Sequence, residues 1–394
     1  MTPTGREPPS LPRRVAVVHS DINTVGGAEA VCAEALEALS DSCEVTLFAW
    51  SQPDFPRVDR LFGTRLAERG IRVVSVASLF RLPHRLRRSN LLRFALASRA
   101  VQDRARDFDW IASTYGEIAA PLPAIQYVHF PLYSGLVTTE LLGGGRRSAA
   151  TEAWRRLARA ALRRAARGSR GAFARNRTLT NSAFTAGWLR RAWGIDAAVV
   201  RPPVPFRASA APRPFEAREG GVVCVGRLTP AKRTLDLIAA VGEVRRRGLD
   251  ARIHVVGEGT GPYADAVRDA CRRSDHATYE GVLSLADLSV LLARNRYGVH
   301  GFEHEHFGIS VAQMVRAGCL CFAPAGGGQA ELLAAAPRLL YRSVPELVSK
   351  LAEVMGSPAL QTEALRALAP VKAELDGDRF GAAFIAQARS HLGV

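Results

Sequence analysis

The chain has 394 residues and a formal net charge of +16, with 47% hydrophobic and 23% charged residues. A single core stops growing near ~250–300 residues, so this length predicts two domains, and the apolar content excludes wholesale disorder. The surplus charge suits a polyanionic partner (nucleic acid, an anionic membrane surface or phosphorylated substrates) or else a merely solvated arginine-rich surface.

No apolar run reaches the roughly 18 residues of a spanning helix, and "MTPTGREPPSLPRR" lacks the apolar centre of a signal peptide. Cys32, Cys43, Cys224, Cys271, Cys319 and Cys321 fall mostly in apolar runs without the spacing of a disulfide framework, which predicts reduced thiols and a cytoplasmic location.

Residues 1–12 read as a disordered leader. A strand "RVAVVHS", a turn "NTVGGAE" and the helix "AEAVCAEALEALS" open a domain predicted over 13–205. Further strands follow at "CEVTLFAW", "IRVVSVA", "WIAST", "AIQYVHF", "RTLTNS" and "AAVVRPPV", most of them separated by helical segments. Such alternation signals a parallel sheet covered on both faces. Prolines and charges cluster in a linker predicted over 206–219, and alternation resumes at "VVCVG", "ARIHVVG", "RYGVHG" and "CLCFAP" in a second domain over 220–375. Residues 376–394 read as a C-terminal helix returning to the first domain. The predicted class is α/β, with two doubly wound domains facing across a cleft.

Ligands of such sheets bind at the strands' carboxyl ends. In the first domain, Gly26 and Gly27 allow close backbone approach just before a helix N-terminus. His129 ends an apolar strand in "QYVHFP". In the second, "CVGRLTPAKRTLDLI" places Gly226, Arg227, Lys232 and Arg233 around one strand end, where cations suit a diphosphate. "VVGEGTGP" has G-x-G-x-G spacing rather than that of a dinucleotide fingerprint, and reads as a structural turn beside a site. In "FEHEHFGISVAQMVRAG", a loop leads into a helix closed by Gly318. Phe307, Gly308 and Ile309 then offer backbone amides to an anion, with Glu305 just outside. His300, His304, His306, Cys319 and Cys321 form no standard zinc spacing, so no metal site is expected.

"GRLTPAKR", "VVGEGTGP", "EHFGISVAQMVRAG" and "APAGGGQAEL", in this order, resemble glycosyltransferase family 4, retaining enzymes of the GT-B fold. "YVHFP", "TNSAFTAGWL" and "EHFGI" are similar to the branch containing the α-1,2-mannosyltransferase of lipid-linked oligosaccharides. The resemblance implies a nucleotide-diphosphate sugar as donor substrate, an acceptor hydroxyl, and no cofactor. It implies that Gly226, Arg227, Lys232 and the Phe307–Ile309 amides hold the diphosphate. Glu305, the first carboxylate of the E-x7-E motif, would face the donor sugar, His129 would lie near the reacting carbon, and Gly26 and Gly27 would line the diphosphate and acceptor side. Gln313 replaces the motif's second glutamate, the usual ribose partner, and so retains one acceptor but no charge.

Residues 146–177 hold eleven arginines and one acid, with Trp154, Leu157, Ala161, Leu162 and Ala165 on one helical face. Together with 81–106 they suggest peripheral attachment to an anionic membrane and a lipid-linked or glycolipid acceptor. The alternatives are a helix packed on the core by that stripe, a soluble enzyme acting on a small metabolite, and an inactive sugar-nucleotide scaffold. Nucleic-acid binding has only the charge in its favour, because no recognition motif accompanies it.

Overall fold

A computed structural model describes residues 11–24, 26–80, 89–138, 148–207, 213–377 and 379–394. They divide into two units: one drawn from Met1–Val137, Ala149–Pro203 and Asp378–Val394, the other from Thr138–Ser148 and Val204–Gly377. Each is described by itself.

The first unit is built on a parallel sheet of β1 (Arg14–Val18), β2 (Glu44–Ala49), β3 (Arg72–Ser75), β4 (Trp110–Ser113), β5 (Ala124–Val128), β6 (Arg177–Thr180) and β7 (Ala198–Val199). Its order is β3-β2-β1-β4-β5-β6-β7, which reverses between β1 and β4. Continuous apolar runs form these strands because both faces are covered. Val15 and Val17 enter one core and Ala16 and Val18 the opposite one, as the two-residue period of a strand requires. The helix Phe380–Leu392 joins the Val15 side, where Phe384 is fully buried and Phe380 meets Tyr127 edge-on with ring centroids 5.5 Å apart.

The second unit repeats the plan with β8 (Glu219–Val225), β9 (Ile253–Val256), β10 (Ala277–Gly281), β11 (Asn295–Val299), β12 (Leu320–Pro324) and β13 (Leu340–Tyr341), ordered β10-β9-β8-β11-β12-β13. Strands β10 and β13 were not anticipated. The first is an edge strand with mixed burial, and the second has only two residues.

Three expectations need correction. The stretch 206–219 is not simply a linker: Phe215 is buried in the second core, β8 already begins at Glu219, and residues 208–212 lie outside the described residues. The leader is described only from residue 11, and Leu11 is buried in the first core. Of the basic segment 81–106, residues 81–88 lie outside the described residues. Its helix Asn90–Asp103 spends Phe94, Ala97 and Val101 on the core, so that face is not free for a membrane.

Candidate active site

The carboxyl ends of β8 and β11 flank the reversal point of the second sheet. After β8 the chain turns at Gly226. Gly257 lies so close that a Cβ there would sit 2.0 Å from the Gly226 carbonyl oxygen, and the loops are zipped by Gly226 N–H to Val256 O (3.0 Å) and Leu228 N–H to Glu258 O (2.7 Å). The "VVGEGTGP" glycines thus brace the Arg227 loop. Arg227 is exposed and has no ion-pair partner among the described residues. A short 3-10 turn, Pro230–Lys232, then aims the Lys232 side chain back over the strand ends, and Arg233 takes a left-handed conformation (φ 53°) before the helix Thr234–Arg246. Few non-glycine residues adopt that conformation, and where they do the strain often marks a functional loop.

Lys232 Nζ pairs with Glu305 Oε1, and their side chains are 18% and 20% exposed. The ammonium also lies 5.1 Å from the centre of the Phe302 ring. His300, buried immediately after β11, brings Nε2 to 3.3 Å from the same carboxylate oxygen, and its Nδ1 is 3.3 Å from Ser310 Oγ. Burial alone would raise the Glu305 pKa, but Lys232 and His300 outweigh it and hold the carboxyl well below its ordinary range. The His300 pKa is lowered, by burial and then by Lys232, against the opposing pull of Glu305. The site therefore presents a fixed carboxylate, an ammonium and a neutral imidazole within one cluster.

The Glu305 backbone is held by the glycine triplet. Gly328 N–H donates to Glu305 O (2.7 Å), and a Cβ on Gly328 would lie 2.1 Å from His306 O. Gly308 (φ 94°) leads into the helix Ile309–Arg316, which has no side-chain cap. The amides at and after Ile309 are thus the free donors of a helix start, next to Phe307, which is buried. Gln313 is buried too, and its Nε2 donates to Pro205 O at 2.8 Å. Its amide hydrogen is therefore committed to the segment entering the second unit, which leaves Oε1 as the acceptor without a partner among the described residues.

The structure thus brings together Gly226, Arg227, Lys232, Glu305, Phe307, Gly308 and Ile309 around the β8 and β11 ends, with Gln313 one turn along the same helix. His129, Gly26 and Gly27 belong to the first unit. Gly26 precedes the helix Gly27–Ser40, and a Cβ on it would lie 2.8 Å from Glu29 Oε2. Glu29 accepts from Thr24 Oγ1 (2.6 Å) and lies 3.9 Å from His19 Nε2, so a buried acid and imidazole pin the glycine turn. Burial opposes protonation of His19, but Cys32 and Glu29 together raise its pKa. His129, at the end of β5, has Nε2 3.2 Å from Thr114 O, which makes Nε2 the protonated nitrogen. Sequence reasoning missed His300 and the His19–Glu29 pair. His300 had been weighed only as a zinc ligand, and its position at the end of an apolar strand was the available signal.

Of the apolar stripe on the Ala149–Ala165 helix, only Leu162 packs against the core. Trp154 (71% exposed) and Leu157 (66%) face outward, whereas Arg159 is buried and donates to Val137 O.

Residues 25–206 match the profile of Glycosyltransferase Family 4, and residues 219–357 that of Glycosyl transferases group 1. A GDP-mannose-dependent alpha-(1-6)-phosphatidylinositol monomannoside mannosyltransferase of Mycobacterium tuberculosis is 31% identical over 150 residues. That match covers 35% of this chain and spans only 38% of the relative's length. Among solved structures, WaaG, a glycosyltransferase involved in lipopolysaccharide biosynthesis, superposes with a TM-score of 0.68 at 15% identity, covering 96% of this chain and 100% of that one. Sucrose-phosphate synthase from Thermosynechococcus elongatus gives 0.67 at 17% identity, covering 96% and 99%. Anabaena HepE in complex with UDP-glucose gives 0.66 at 17% identity, covering 97% and 100%. With two parallel Rossmann-like sheets and profiles spanning both units, the chain belongs to glycosyltransferase family 4 and has the GT-B architecture.

Proposed function

We propose that the protein transfers a hexosyl group from a nucleotide-diphosphate sugar to an acceptor hydroxyl with retention of anomeric configuration, without a metal at the diphosphate. The observation carrying this reading is the Lys232–Glu305–His300 cluster at the reversal point of the second sheet, beside exposed Arg227 and the uncapped helix start at Ile309. As the glycosidic bond breaks, positive charge grows at the anomeric carbon and negative charge on the departing diphosphate. Arg227, Lys232 and the Phe307–Ile309 amides would stabilise that diphosphate more in the transition state than in the ground state. Cations of this kind take the part that a divalent ion would otherwise play. Glu305 would then face the sugar, released from Lys232 as the phosphates take over the ammonium. Gln313 Oε1 would accept one ribose hydroxyl. His129 and the Gly26–Gly27 turn would serve the sugar and acceptor from the first unit.

The mycobacterial relative's name supports GDP-mannose as donor and a lipid-anchored acceptor for this chain. Peripheral attachment to the cytoplasmic membrane face is part of the same proposal and rests on the arginine-rich helix Ala149–Ala165. That relative is named for an α-(1-6) transfer, whereas the motif resemblance pointed to an α-1,2 branch, so the linkage itself stays outside the proposal.

Titration calorimetry tests the site. Wild type should bind GDP or UDP more tightly than the monophosphates, and Arg227→Ala should weaken the diphosphate by about tenfold or more, the worth of one charge-assisted contact. Gln313→Glu should lower Tm, because a carboxylate would face the Pro205 carbonyl. Equal affinity for mono- and diphosphates in wild type, or an unaltered affinity in Arg227→Ala, would remove the diphosphate assignment.

A further inference from the structure

The arginine-rich helix Ala149–Ala165 packs Leu162 against the core but turns Trp154 and Leu157 outward. Trp154 and Leu157 are among the most exposed large apolar side chains of the described residues, while Arg159 is turned inward and pinned to the Val137 carbonyl. Burying the Arg159 guanidinium beside Leu162, while Trp154 and Leu157 stay exposed, has a cost.

Beside the helix lies an open groove of about 490 Å³, lined by Tyr133, Gly135, Ala153, Leu157, Arg156 and Arg163, with Ala160 completing the wall. Leu136, which follows Gly135, is 50% exposed. Arg163 is engaged over the Trp193 ring at 5.5 Å, whereas Arg155 and Arg156 are exposed and without ion-pair partners among the described residues. Tyr133 is 1% exposed, and its buried hydroxyl has no hydrogen-bond partner among the described residues.

We propose that this groove and the outward face of the helix seat an anionic phospholipid of a bilayer, with the helix lying in the membrane interface. The inference rests on the membrane-surface reading above and assigns it to one face. Arg155 and Arg156 meet the phosphodiester, Ala153, Leu157 and Ala160 lie along the first carbons of the acyl chains, and Trp154 sits at headgroup depth, where amphipathic rings concentrate. Charge selects the occupant: the exposed apolar residues are bordered by arginines, with Glu152 the one acidic residue on the helix, which favours a polyanionic surface over a neutral apolar one.

The test is co-sedimentation of the full chain with vesicles of phosphatidylcholine alone or of phosphatidylcholine and phosphatidylglycerol in equal parts. Wild type should bind only the mixed vesicles, and brominated lipids should quench a fluorescence component that Trp154→Phe lacks. Trp154→Ala/Leu157→Ala should weaken binding by about tenfold or more, because both side chains are exposed and their apolar area is what the bilayer would bury. Tm and donor hydrolysis in solution should be unchanged. If wild type binds and the double variant binds equally, this face is not the contact and only the inference falls. If wild type binds neither vesicle, the membrane reading falls with it. Release by inorganic phosphate at matched phosphate concentration would make the groove a free-phosphate site. A dimer dissolved by the double variant would make the face an interface between copies. Either result overturns the proposal.

Discussion

Lys232→Ala is expected to lower kcat about 10²–10³-fold in a protein that still folds, the loss typical of deleting one preorganised charge at a developing anion. The geometry makes Lys232 hard to replace. Its backbone carbonyl packs where a Cβ on Gly301 would lie 2.4 Å away, so the turn is fixed against the end of β11. Its ammonium is already desolvated in part by Phe302 and Glu305. Lys232→Arg should rescue only in part, because a planar fork does not reproduce a compact point charge in that space. Glu305→Gln should also reduce kcat, with a distinct signature. It leaves Lys232 without its resting partner, so diphosphate binding should tighten while turnover falls. Steady-state kinetics with saturating acceptor separates the two, and a Lys232→Ala variant of near wild-type kcat would place the chemistry elsewhere.

A large effect of pH on stability is expected from Glu117, far from these groups in sequence. Its side chain, on the segment joining β4 to β5, is fully buried, Oε1 accepts from Trp193 Nε1 at 2.7 Å, and Oε2 has no hydrogen-bond partner among the described residues. Burial pushes its pKa up to about 7, against the smaller opposing effects of its hydrogen bonds. The folded state therefore holds this proton more tightly than the unfolded state, where the group titrates near 4.5. The associated stability is fully present below pH 4.5 and is lost as pH rises through 7. At 1.36 kcal/mol per pKa unit this amounts to about 3 kcal/mol by pH 8. Glu117→Gln mimics the protonated form. Denaturant melts should show it near wild type at pH 4.5 and more stable by up to about 3 kcal/mol at pH 8. A difference independent of pH would mean that Glu117 is already paired or hydrated.

The strands of the first unit were legible because burial on both faces leaves β1, β2 and β5 mostly apolar, broken only by Thr46 and Gln126 after their first residues. The edge strand β10 was not, because Glu280 within it reaches across to His254 (2.7 Å) and interrupts the apolar pattern. Arg227, Lys232 and Glu305 could be read from their places at strand ends and helix starts. The bond between Lys232 and Glu305 could not, since it depends on β8 and β11 being neighbours in the sheet although 73 residues separate the two side chains. His300 escaped for a different reason: it follows β11 in the same loop as Glu305, but its histidine and cysteine neighbours drew only a zinc reading. The Ala149–Ala165 helix shows the opposite limit: periodicity revealed an apolar face, but only packing shows that Arg159, and not Trp154, is the residue turned inward.

The most direct test of the account is the anomeric configuration of the product. The purified chain would be incubated, in the presence of EDTA, with a panel of α-linked nucleotide sugars that includes GDP-mannose, and the product linkage followed by NMR. The account predicts transfer or slow donor hydrolysis giving the α-anomer first, with the same Lys232 dependence as diphosphate binding. A β-product, or turnover that disappears on removing divalent ions, would contradict it.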